Sequence, residues 1–146
     1  MTVPLVLDAA GLDAMAADDP PQGFRALVAE AHRRGRDVLV PAVVCAEIAR
    51  GVARTRRMEQ ALARRTAHSG GRSPATVVDT DLTVAKQVGA ILHAVRADTT
   101  DIVDAHVVAA CVPYGGGVVI TSDAQDIQRL SAAVPHVRVV TRRPAG

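Results

Sequence analysis

Aromatic residues are almost missing from this chain. Its 146 residues include one Phe (Phe24), one Tyr (Tyr114) and no Trp. Modules that read single-stranded nucleic acid by stacking need aromatic platforms, so that class is disfavoured. Lysine is nearly as scarce: among 17 positive residues only Lys86 is not Arg. The two cysteines, Cys45 and Cys111, lie in apolar helical contexts without metal-site spacing. They read as small buried hydrophobes in a reducing compartment. No apolar run approaches the about 18 residues of a membrane span, and no basic segment precedes the first apolar run, which Asp8 interrupts. The expectation is a cytoplasmic protein with no membrane association. The histidines form no H-x-x-x-H pair. Gly115-Gly116-Gly117 precedes an apolar run instead of following one, which argues against a phosphate-binding loop.

What is present fits one globular domain. The chain is 49% hydrophobic and 22% charged, and it is long enough for a sizeable core, which must be built from Val, Leu, Ile and Ala. Short apolar runs predict strands over residues 3–7, 37–40, 76–78, 118–121 and 137–140. Helical spacing predicts a short helix after Asp8 and further helices over 23–34, from Pro41 to near Gly51, 55–67, 81–95, from Thr99-Thr100-Asp101 to about Val112, and 123–130. Residues 114–117 read as a turn and about 141–146 as a frayed tail. Strands alternating with helices imply an α/β fold. It would be a central parallel sheet of about five short strands with helices on both faces. Chemistry in such sheets gathers beyond the carboxyl ends of the strands.

Four carboxylates fall at such places or one turn into an apolar helix: Asp8 in LVLDAAGL, Glu47 in PAVVCAEIARG, Asp104 in DIVDAHVVAAC and Asp123 in VVITSDAQDI. Taken singly, Asp8 reads as a turn or cap residue, Asp123 as an N-cap and Asp104 as an acid favoured by its helix N-terminus. Glu47 shares its face with Val43 and Val44 and is expected to point partly inward. Together, set against apolar surroundings, they point to a shared site whose repulsion a hard divalent cation would relieve. Asp81, Asp101 and Asp126 read as helix-start acids, with Asp126 also a candidate rim ligand. His106 lies on a different helix face from Asp104.

The order of these motifs resembles a PIN-domain ribonuclease. They run from an early Asp, through a P-x-x-x-x-x-E-x-x-x-G helix and a D-A-x-x-x-A-A helix, to a T-x-D-x-x-D strand end. The chain is most similar to the toxin half of VapBC-type toxin–antitoxin pairs, over nearly its whole length. The resemblance implies Asp8, Glu47, Asp104 and Asp123 as catalytic acids, with Asp8, Asp104 and Asp123 ligating Mg²⁺ or Mn²⁺, and Thr121 and Asp126 as auxiliaries. It also implies an RNA substrate, a cognate antitoxin and a homodimer. Where family members often carry Ser or Thr two residues after the first Asp, this chain has Ala10.

Arg50, Arg54, Arg56, Arg57, Arg64, Arg65 and Arg72 cluster in one stretch. Arg binds phosphate through a bidentate fork, so Arg50, Arg54 and Arg57 are candidate RNA contacts; the run reads equally as a solvated helix face. Two rival functions stand beside the nuclease. A phosphoacceptor signalling domain wants an acidic pair after its first strand, where Asp8 is alone. A catalytically weak module that keeps the fold to bind RNA or protein differs from the nuclease only in metal binding and turnover. A haloacid-dehalogenase-like phosphatase would want Asp-x-Asp at Asp8, which Ala10 rules out in its usual form.

Overall fold

The computed structural model describes residues 2–65 and 69–145. Ala67 and His68, at the junction of the expected fourth helix and its loop, lie outside the described residues. The five strands are β1 (Leu5–Leu7), β2 (Val38–Pro41), β3 (Thr76–Val78), β4 (Gly116–Ile120) and β5 (Arg138–Arg142). All pair in parallel, in the order β3-β2-β1-β4-β5. The helices among the described residues are α1 (Ala9–Ala16), α2 (Gln22–Arg33), α3 (Ala42–Ile48), α4 (Val52–Ala63), α5 (Leu82–Ala94), α6 (Ile102–Cys111) and α7 (Ala124–Ser131).

Alternation along the strands explains the layering. Successive side chains of β4 point to opposite faces. A Cβ at Gly117 would meet Cys111 at the end of α6, whereas Val118, with Leu5 beside it in register, lines a cavity shared with Leu27 and Ala31 of α2. The sheet is thus covered by α6 on one side and α2 on the other. Strands buried on both faces read as continuous apolar runs, as Leu5–Leu7 and Val38–Pro41 do. The core is aliphatic, with Leu7, Leu12, Ile91, Ile120, Ile127 and Leu130 among its fully buried side chains.

Three boundaries differ from expectation. Gly116 and Gly117 belong to β4 and not to a turn, because α6 ends against the strand: a Cβ on Gly117 would lie 2.5 Å from the Cys111 sulfur. Only Gly115 turns, in the left-handed region at φ 71°. The last strand continues through Arg142, whose carbonyl accepts from the Thr121 N–H at 2.9 Å, so residues 141 and 142 are not frayed. Helix α4 starts at Val52, just after Gly51, and ends at Ala63, earlier at both ends than the spacing of apolar residues indicates.

Candidate active site

The strand order reverses between β1 and β4: β2 and β3 continue to one side, β5 to the other. At such a reversal the connections leave in opposite directions and open a crevice beyond the carboxyl ends of the strands. Asp8 and Asp123 follow the two strands that flank it. The strand ends are joined by the Asp8 N–H, which donates to the Ile120 carbonyl at 3.3 Å. Gly11 lets α1 sit close above them, since a Cβ there would approach the Ile120 carbonyl to 3.0 Å.

Asp8 is 7% exposed. It caps α1, accepting from the Gly11 N–H at 3.0 Å. Burial pushes its carboxyl upward; hydrogen bonds from the Thr121 hydroxyl and the Gly11 and Ala10 N–H groups pull the other way, and the Asp123 charge raises it. Thr121, 1% exposed, also accepts the Asp123 N–H at 2.9 Å. One buried hydroxyl therefore ties together the acids after β1 and β4. Asp123 is exposed and caps α7, accepting from the Asp126 N–H at 3.4 Å. The simple cap readings of Asp8 and Asp123 thus hold, and the same geometry aims both at the crevice.

Asp104, in the first turn of α6, is partly buried. Its carboxyl is raised from 3.8 to about 6, first by burial and then by the charges of Asp8, Asp126, Asp123 and Glu47. The four sequence-selected acids thus share one electrostatic neighbourhood with Asp104 at its centre. Glu47 differs from expectation: it is exposed. It occupies the last turn of α3, whose buried stripe runs through Val44 and Ile48, and Glu47 lies off that stripe.

Close packing of acids occurs elsewhere than expected. Carboxylate oxygens of Asp101, Asp104 and Asp126 lie within 4.8 Å of one another, the one such trio among the described residues, and each residue is partly buried. Asp101, read from sequence as a helix-start acid, belongs to this cluster. Its spacing three residues before Asp104 carried the signal, since that places both on one helical face. Arg129 was missed. Its guanidinium reaches Asp101 at 2.8 Å and Asp126 at 3.3 Å, and nothing in its local sequence marks a contact to a residue 28 positions earlier. The trio offers oxygens only, as a hard divalent cation prefers, while the raised carboxyl of Asp104 owes first to its burial and then to the charges of Asp8, Asp126, Asp123 and Glu47.

Of the candidate phosphate contacts, Arg50 is exposed in the turn after α3. Arg54 and Arg57 line a cavity of about 330 Å³ with Asp13, Ala16, Ala17 and Ile48, flanked by the helices that start at Asp8 and carry Glu47. Arg54 pairs with Asp13 at 3.7 Å, an exposed pair of little energetic weight. Arg64 lies past the end of α4 and lines a different groove with Phe24, Val28 and His32.

The PIN domain family matches residues 6–132, and the chain belongs to that family. A solved structure described as FitAB bound to an IR36 DNA fragment is similar to it in fold. The likeness covers 97% of this chain and 96% of that one, with a TM-score of 0.61 and 17% identity. No curated protein matches the chain by sequence. No helix among the described residues is long and apolar enough to cross a membrane.

Proposed function

We propose that the chain is a divalent-cation-dependent endoribonuclease and the toxin of a toxin–antitoxin pair, working as a homodimer in the cytoplasm. The observation that carries the catalytic reading is the Asp104 carboxyl, raised to about 6 first by burial and then by four acids from three separate parts of the chain, Asp8, Glu47 and the Asp123/Asp126 pair at the start of α7. Asp8, Asp104 and Asp123 are assigned as cation ligands, with Asp126 and Asp101 at the rim. A bound Mg²⁺ or Mn²⁺ supplies the charge that activates a water and stabilises the phosphorane-like transition state. Thr121 orients Asp8 through its hydroxyl. Glu47, exposed, is assigned to the acidic set through its charge, which is felt at Asp104. Arg50, Arg54 and Arg57 attract the phosphate backbone, offsetting the repulsion the acids exert on RNA.

The toxin role, the antitoxin and the dimer rest on the order of motifs across the chain. A second reading, a PIN-fold binding module with weak or no catalysis, is favoured by one contact: Arg129 already neutralises Asp101 and Asp126. Incubating the purified protein with total RNA, with and without Mg²⁺ or Mn²⁺, and mapping the new ends separates the two. The nuclease reading expects discrete cation-dependent ends, and retention of RNA without new ends supports the module.

A further inference from the structure

The proposed chemistry makes no use of Arg129, yet this residue sits against the acids. It lies in the last turn of α7. A single nitrogen, Nη2, is 2.8 Å from Oδ1 of Asp101 and 3.3 Å from Oδ1 of Asp126. With Asp104, those two residues form the trio whose carboxylate oxygens lie within 4.8 Å of one another. One positive nitrogen therefore stands where two of the three acids converge. Asp104 has no ion pair among the described residues, so the neutralisation is partial. A mechanical role explains little. The Arg129 side chain is 44% exposed, and ion pairs open to water add little stability.

We propose that Arg129 is a built-in competitor of the divalent cation: it holds Asp101 and Asp126 in the cation-free protein and so sets how much cation the acids need before they load. The inference rests on the reading of these acids as a cation site. A guanidinium is always charged, and its charge subtracts from the negative field that draws a cation. It also occupies lone pairs, since the Oδ1 atoms that accept from Nη2 cannot turn to a metal without giving up that contact. An oxygen of Asp104 lies within 4.8 Å of oxygens of both acids, so a cation held there stands close enough to the guanidinium to be repelled. Relief by Arg129 and relief by a cation are thus alternatives, and the sign of the effect is fixed: taking Arg129 away tightens cation binding. A residue that only stapled α7 to the turn before α6, or only steadied the acids, would do the reverse, because loosened ligands weaken a site.

The test measures Mn²⁺ affinity of the full chain without RNA, from the free-ion paramagnetic signal. Arg129→Gln should bind Mn²⁺ about tenfold tighter than wild type, the size Coulomb's law gives in water for a single and a double positive charge about 5 Å apart. Arg129→Lys keeps the charge and should bind as wild type does. Arg25→Gln removes one charge from an exposed pair with Asp19, outside the trio, and should also leave the affinity unchanged. A fixed sub-saturating dose of Mn²⁺ should raise the unfolding temperature more in Arg129→Gln than in wild type, and the transition in EDTA shows that each variant is folded. An affinity in Arg129→Gln equal to or below that of wild type overturns the proposal, as does equal tightening in Arg129→Lys or Arg25→Gln. If wild type binds Mn²⁺ and Asp104→Asn does not, those results sink the competitor alone. If neither wild type nor Arg129→Gln binds Mn²⁺, the cation reading falls and the competitor with it.

Discussion

Asp104 carries the sharpest consequence of the site at the scale of a single residue. Its carboxyl titrates near 6 in the folded protein against 3.8 otherwise. A raised folded-state value contributes stability below the unfolded value and loses it as pH rises through the folded one. The cation-free protein should therefore be weakened by Asp104 at about pH 8 and not at about pH 4. Asp104→Asn should raise the unfolding temperature in EDTA at the higher pH and leave it nearly unchanged at the lower; an equal effect at both would deny the crowding. The part-burial of Asp104 was legible in the sequence because Val107 and Val108 share its helix face in DIVDAHVVAAC, even with Asp101 one turn before it. The burial of Asp8 was legible from the apolar run that it interrupts. Arg129 was not, since a side-chain contact between α7 and the turn before α6 exists only once the helices pack. The exposure of Glu47 was not legible either, since which stripe of α3 packs inward, here Val44 and Ile48, is set by the tertiary fold.

Elements were read well where period and capping agreed. Asp81 caps α5 and Asp123 caps α7, each accepting the N–H three residues on, as their positions before apolar helical spacing indicated. Gly116 and Gly117 misled because glycine signals a turn by default, whereas here it marks the close approach of α6 to β4. Gly117→Ala should cost about 1–3 kcal/mol in denaturant unfolding through overpacking on Cys111. The double variant Gly117→Ala/Cys111→Ala should recover part of the loss, because it removes the sulfur 2.5 Å from the new Cβ. A single variant as stable as wild type would mean that α6 shifts freely. The basic segment also divides by element. Arg54 and Arg57 sit on α4 facing α1, while Arg64 has left the helix. Charge-neutral replacement of Arg54 and Arg57 should lower the slope of log affinity for RNA against log salt by up to about one unit per lost phosphate contact. Replacing Arg64 alone should not. If all three leave the slope unchanged, these arginines form only a solvated face or a protein surface.

At the scale of the whole molecule, the parallel α/β fold followed from alternating short apolar runs and helical periods. The strand order did not, because periodicity says nothing about which strands become neighbours. The fold brings together acids 96 and 115 residues apart in the chain, since Asp8 meets Asp123 through the pairing of β1 with β4 and meets Asp104 through the packing of α6 on the sheet. What the fold builds at the reversal of strand order is a concentration of negative charge that costs stability and that a divalent cation, bound as proposed, would relieve. Titration of Mn²⁺ into wild type and Asp104→Asn, followed by loss of the free-ion paramagnetic signal and paired with RNA cleavage on the same samples, tests this most directly. Wild type should bind the ion and cleave RNA, with cleavage abolished by EDTA, and Asp104→Asn should do neither while remaining folded. Cleavage that survives EDTA, or an Asp104→Asn protein that binds Mn²⁺ and cuts RNA as wild type does, would contradict it.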